Sequence, residues 1–239
     1  MNAEKIRNCL EKNEIPFHDE LPGKLLCYYL LLEEWNRHMD LTAVTDEDET
    51  LDKHFIDSLI VLKTGLITQG TKLIDVGTGA GFPGLVLAAA CPYLKVTLLD
   101  SQQKRLAFLE KAAEEAGILN VSTVHARAED GGRKPEMRES FDYATARALA
   151  PLNVLCEYLL PYVKADGCAL CWKGPALRDE LDSGRRAAHI LGGMLEMPVR
   201  CEIAGREWEH MILPVRKIQK TPALYPRKAG TPKNKPLGI

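Results

Sequence analysis

Thr71-Lys72-Leu73-Ile74-Asp75-Val76-Gly77-Thr78-Gly79-Ala80-Gly81-Phe82-Pro83-Gly84 decides the fold, because it packs an apolar strand, a carboxylate, four glycines and a helix start into one short unit. Lys72 to Val76 reads as a buried strand. Gly77, Gly79 and Gly81 follow at alternate positions, where a backbone must turn sharply or admit a ligand closely. A helix is expected to begin near Pro83, whose ring suits a first helical turn. Downstream the apolar pattern alternates. Strands are expected near 71–77, 95–100, 121–126, 141–147 and 167–173, and helices near 83–91, 102–116, 151–163 and 176–193. That rhythm implies a parallel sheet with right-handed crossovers. Apolar runs near 197–204 and 209–217, separated by Gly205-Arg206-Glu207-Trp208, predict a hairpin of antiparallel edge strands.

Gly79-x-Gly81-x-x-Gly84 matches a dinucleotide-binding fingerprint, and Asp100 ends the next strand, Lys95 to Asp100, where an acid can grip ribose hydroxyls. Asp75 narrows the choice of ligand. It stands two residues before Gly77, where a carboxylate crowds an anionic pyrophosphate but welcomes an ammonium group. S-adenosylmethionine carries an α-amino group, a sulfonium and a ribose but no phosphate. Asp75 could hold the methionine end, directly or through water, while Asp100 takes the ribose diol; an N-cap or turn-forming role for Asp75 stays open. A nicotinamide-dependent oxidoreductase is the competing enzyme class, and Asp75 and the absence of a separate substrate domain oppose it.

The 239 residues suffice for one substantial α/β domain with a small appendage. The division expected is an N-terminal helical cap over 1–66, a main domain over 67–218 and a basic tail over 219–239. Within the cap, helices are expected over 2–13, 22–39 and about 50–65, the last with His54, Asp57 and Ser58 on its polar side and the acidic cluster before it as a solvated helix start. With 31 basic against 33 acidic residues, any footprint for nucleic acid must be local. Seven cysteines scattered through apolar segments suit reduced, buried thiols, a cytoplasmic setting and no disulfide framework. Cys168 and Cys171 form a CxxC pair, but residues three apart on a strand point to opposite faces and cannot share a metal, so no metal is expected. No stretch reaches the ~18 to 20 apolar residues that span a bilayer, so a soluble, unprocessed chain without a membrane partner is expected.

Asp75 to Gly84, together with Trp35 to Leu59 (WNRHMDLTAVTDEDETLDKHFIDSL) and Thr221 to Gly238 (TPALYPRKAGTPKNKPLG), resembles the bacterial 16S ribosomal RNA guanine-N7 methyltransferases of the small-subunit methyltransferase G family. The resemblance runs from about residue 30 to the C-terminus. It implies a class I S-adenosylmethionine-dependent methyltransferase fold: an α/β, Rossmann-like seven-stranded sheet with the final strand antiparallel beside the fifth, and an N-terminal helical extension. It places cofactor contacts at Gly77, Phe82, Ala128, Glu129 and Arg147, beside the fingerprint residues Asp75, Gly79, Gly81 and Asp100. Phe82 is expected to close over the cofactor, and Ala128 and Glu129 to meet the adenine edge. Packing of Phe82 under the helix and loop capping by Glu129 are the plainer alternatives.

The substrate implied is 16S ribosomal RNA or the small subunit, met by a monomer. Guanine N7 attacks a sulfonium methyl without first losing a proton, so no general base is nominated and His54 remains a pocket residue. Arg147, at the end of the fourth strand, is the best candidate for a catalytic contact to guanine O6 or phosphate; it could equally line the cofactor pocket, or pair with Glu129 or Asp142. Lys104, Arg105, Lys173, Lys220, Arg227, Lys228, Lys233 and Lys235 are the candidate RNA contacts, those after Lys217 forming an extended strip without an acidic residue. A small-molecule methyltransferase and a non-catalytic ribosome assembly factor are the readings left standing beside this one.

Overall fold

The computed structural model describes residues 1–68 and 71–239. The strands β1 (Lys72–Val76), β2 (Lys95–Asp100), β3 (Val121–His125), β4 (Phe141–Arg147) and β5 (Val163–Lys173) form one parallel sheet. β8 (His210–Lys217) then inserts antiparallel beside β5, and its outer edge is shared by two short strands, β6 (Gly193–Leu195) and β7 (Val199–Cys201). The order is β3-β2-β1-β4-β5-β8-β6, with β7 also on β8. The final strand lies beside the fifth as expected. The strand expected near 197–204 is shortened to β7, and β6 is added before it: the helix α9 (Leu177–Ile190) stops earlier than its pattern predicts, and the chain turns through Gly192 at φ +81° into β6.

Side chains alternate across this sheet and build two cores. Leu73, Val96, Leu98, Tyr143, Cys168, Leu170 and Trp172 face one way; Ile74, Leu99, Ala144, Ala169, Cys171 and Val215 face the other. α8 (Leu152–Leu159) and α9 cover the second face. On the first face, α5 (Gly84–Ala90) and α6 (Gln103–Glu115) share one core with the N-terminal helices α1 (Ala3–Lys12) and α2 (Leu21–Met39). The boundary near residue 66 therefore marks a change of element type, not a gap in packing. Cys168 and Cys171 sit in different cores, as the strand period requires. Burial pushes both thiols up to about 12.

The third N-terminal helix is less regular than its pattern predicts. α3 (Glu47–Thr50) passes into a π-helical turn over Leu51–Ile56, then α4 (Asp57–Leu59) and a 3₁₀ turn over Ile60–Thr64. The acidic cluster starts it as expected: the Asp46 side chain accepts from the Glu49 N–H. Asp57 and Ser58, however, are buried and do not form a polar outer face, because this helix is wedged against the carboxyl ends of the strands.

The tail is the largest departure. It is not a free strip: Arg138 donates to the carbonyls of Thr221 and Tyr225 at 2.7 Å each, and Arg133 to that of Pro226 at 2.8 Å. Asn153 and Arg186 hold the carbonyls of Leu237 and Gly238. Lys217 is fully buried, donating to Leu160 O at 2.6 Å and to Thr221 Oγ1 at 2.5 Å, with Glu139 at 3.2 Å. A short helix, α10 (Thr231–Asn234), closes the segment.

Candidate active site

The glycine loop joins β1 to α5, and three of its glycines adopt φ of +68°, +58° and +100° at Gly77, Gly79 and Gly81, a region that L side chains avoid. Gly84 is required for a different reason: a Cβ there would lie 2.6 Å from Asp75 Cβ and 2.5 Å from Leu98 Cδ2. This closeness sets the role of Asp75. The carboxylate is fully buried beneath the loop, where it accepts from Gly84 N–H at 3.0 Å and from Thr145 Oγ1 at 2.8 Å. Burial raises its pKa, and these two donors oppose the rise. Asp75 thus ties β1, β4 and the start of α5 together, and the direct grip on a ligand expected of it is not available to a side chain with no exposed surface.

Beside the loop, a crevice of about 200 Å3 opens at the ends of β2 and β3, lined by Gly77, Asp100, Arg105, Ala128, Glu129, Leu149 and Tyr158 among others. Asp100 accepts from Gly79 N–H at 2.9 Å and from Gln102 N–H at 2.8 Å, so it shapes the loop while a carboxylate's further lone pairs remain for a diol. Glu129, in α7 (Ala128–Gly131), is held by the tail: Gly230 N–H donates to its Oε1 at 2.7 Å. Two acids, Asp100 and Glu129, in one small crevice beside Gly77 suit a ribose diol and an amino-bearing base and are unfavourable neighbours for a pyrophosphate. The residues present fit S-adenosylmethionine better than a dinucleotide.

A second crevice, of about 330 Å3, lies at the ends of β4 and β5, lined by Lys53, Asp57, Arg147, Trp172, Lys173, Glu180 and His210 with small residues of the adjoining loops. Arg147 is its centre. Its Nη1 donates to Lys53 O at 2.6 Å and Asp57 Oδ2 at 2.8 Å, and its guanidinium lies 5.2 Å from the Phe82 ring centroid. The π-helical turn supplies the Lys53 carbonyl, as such turns often do at functional sites. Nη2 stands 3.2 Å from His54 Nδ1. A guanidinium only donates, so Nδ1 must accept, and the imidazole proton sits on Nε2, 2.8 Å from Thr42 Oγ1. Burial and the Arg147 charge lower the His54 pKa to about 4. Asp57 also takes His210 Nδ1 at 2.9 Å on its other oxygen.

The family description "rRNA small subunit methyltransferase G" matches residues 22–208. The chain belongs to this family. Relatives named ribosomal RNA small subunit methyltransferase G include one from Alkaliphilus metalliredigens, 45% identical over 94% of this chain and 95% of the relative, and one from Clostridium perfringens, 45% identical over 92% of each. The fold is also that of a SAM-dependent methyltransferase from Aquifex aeolicus, at TM-score 0.55 and 18% identity over 75% of this chain and 97% of that one. A precorrin-6y C5,15-methyltransferase from Geobacter metallireducens aligns at TM-score 0.51 and 14% identity over 76% and 95%.

In this member of the small subunit methyltransferase G family, several expected contacts fall elsewhere. Gly77, Asp100, Ala128 and Glu129 line the nucleoside crevice. Gly79 and Gly81 shape the loop behind it; a Cβ on Gly81 would lie 2.6 Å from the Tyr28 hydroxyl oxygen. Phe82 does not close over the crevice: it is buried, with His54 stacked at 4.4 Å and Tyr28 at 5.6 Å between ring centroids. Arg147 pairs with neither Glu129 nor Asp142 but with Asp57, from the helix wedged under it. Arg105 turns inward to Asp100 at 3.7 Å, Lys173 is paired with Glu180 at 2.5 Å, and Arg227 is spent on the fully buried Glu157, so none of the three stands as an unpaired surface cation for the RNA backbone. Lys104, Lys220, Lys228, Lys233 and Lys235 remain exposed. Asp57, Glu180 and His210 were not anticipated as a site. The one available signal lay in HFIDSL within the upstream motif, whose Asp57 and His54 the helical pattern placed on an outer face.

Proposed function

We propose that this chain transfers a methyl group from S-adenosylmethionine to N7 of a guanine in the RNA of the small ribosomal subunit. The observation that carries the reading is a pair of crevices along the strand ends of one sheet, one beside the glycine loop suited to a nucleoside and one at the ends of β4 and β5 where Lys53, Arg147 and Lys173 stand with Asp57 and Glu180. When bound, the cofactor supplies an electrophilic methyl on a sulfonium. The chain's own task is then alignment and tolerance of charge. N7 offers an in-plane lone pair, so no residue need remove a proton. In keeping with that, His54 is occupied on both nitrogens and Asp57 on both oxygens. Arg147, anchored by three acceptors, is positioned to meet O6 or a phosphate without competing for N7.

The exposed Lys104, Lys220, Lys228, Lys233 and Lys235 are the proposed backbone contacts to RNA. The reading includes a monomer acting in the cytoplasm; among the described residues no helix is long and apolar enough to cross a membrane. The decisive experiment incubates the protein and labelled cofactor with unmodified small subunits and maps the label. One guanine carrying an N7 methyl is expected. Label on another atom or base, or none, refutes the proposal. Thermal stabilisation by S-adenosylhomocysteine and not by NAD is expected alongside.

A further inference from the structure

We propose that Glu180 and Lys173 read the edge of the acceptor guanine that carries O6, N1–H and the 2-amino group, and so reject other purines; this rests on the guanine-N7 reading above. Lys173 ends β5 and Glu180 lies in the first turn of α9, and both line the second crevice. Glu180 Oε2 is fully committed, accepting from Leu152 N–H at 2.6 Å and from Lys173 Nζ at 2.5 Å. Oε1 has no partner among the described residues. The pair therefore presents a fixed donor beside a fixed acceptor, both largely shielded from solvent: the side chains are 9% and 22% exposed for Lys173 and Glu180.

The sheet order explains why this pair faces that edge. β1, β4 and β5 are consecutive neighbours, so Gly77, Arg147 and Lys173 step across the strand ends, roughly 5 Å per strand. A purine whose N7 is turned toward the glycine loop turns its N1 and 2-amino side away from it, toward the end of β5. Guanine then sets O6 against the Lys173 ammonium and its N1–H and 2-amino donors against Glu180 Oε1. Adenine would set a 6-amino donor against the ammonium and a bare N1 against the carboxylate. Both contacts reverse sign, which is the strongest form of rejection a buried polar pair provides.

The test uses small-subunit RNA carrying guanosine or inosine at the methylated position, inosine lacking only the 2-amino group. Wild-type protein should favour guanosine by about 10- to 100-fold in kcat/KM, the range for one hydrogen bond to a charged acceptor. In Glu180→Gln the amide oxygen keeps the Leu152 and Lys173 contacts and its NH2 takes the place of Oε1, so a donor meets donors and the preference should fall below about 3-fold. Lys173→Met should slow both RNAs alike, since both retain O6, and leave the ratio intact. S-adenosylhomocysteine affinity should be unchanged in both variants. Equal use of the two RNAs by wild type, or a preference that survives Glu180→Gln, overturns the assignment. A wild-type enzyme that leaves guanosine N7 unmodified refutes instead the reading on which it rests.

Discussion

His54 offers a quantitative check on the arrangement around Arg147. It is neutral because Nδ1 must accept from a guanidinium, and protonation would set two cations 3.2 Å apart in a half-buried pocket. Its pKa is lowered from 6.5 to about 4, chiefly by burial and then by Arg147. The unfolded chain therefore binds a proton that the folded chain refuses between these two values. Stability is fully present above pH 6.5 and is lost as pH falls toward 4. At 1.36 kcal/mol per pH unit, moving from pH 7 to pH 5 removes about 2 kcal/mol through this one group. His54→Asn keeps an acceptor where Nδ1 stands but cannot titrate there. Urea unfolding of both proteins across pH 5 to 7.5 should show the wild type losing about 2 kcal/mol relative to the variant. Parallel pH profiles would mean that His54 is not buried neutral against Arg147, and the tautomer argument would fall.

Two further outcomes follow from buried carboxylates. Arg227→Ala removes the Nε and Nη2 donors and the positive charge from the fully buried Glu157, leaving it only the backbone N–H of residue 227, and should cost about 3 to 5 kcal/mol in urea unfolding. Adding Glu157→Gln should recover part of that loss, and no recovery would mean the charge is not the cause. Asp75→Ala leaves Gly84 N–H and Thr145 Oγ1 without their acceptor and should cost at least about 2 kcal/mol, with Asp75→Asn costing less. Wild-type stability combined with lost S-adenosylhomocysteine binding would return Asp75 to the role of a direct ligand contact.

The parallel strands and the glycine loop were legible because their signals are local. Short continuous apolar runs and positive-φ glycines are properties of a few consecutive residues, and β1, β2 and β4 fall within a residue or two of their expected bounds. Charges were not legible in the same way. The stretch after Lys217 contains no acid, so in sequence it reads as a free basic strip; its acids, Glu129, Glu139 and Glu157, lie far upstream and meet it only in the fold. Lys173 and Glu180 lie seven positions apart, across a strand end and a helix start whose angle no periodicity fixes. The polar side expected for Asp57 faces inward, because the helix after the π-helical turn is wedged against the strand ends, where Arg147 meets the carboxylate.

The split of Cys168 and Cys171 between the two faces of β5 has a practical consequence. Both sulfurs, with those of Cys91, Cys156 and Cys201, are shut inside packed layers and hold their protons tightly. A thiol in that condition ignores alkylating reagents until the layers part. Because the two lie on opposite sides of one strand, their labelling rates report separately on the loosening of each side, giving the molecule a pair of internal clocks for its own opening.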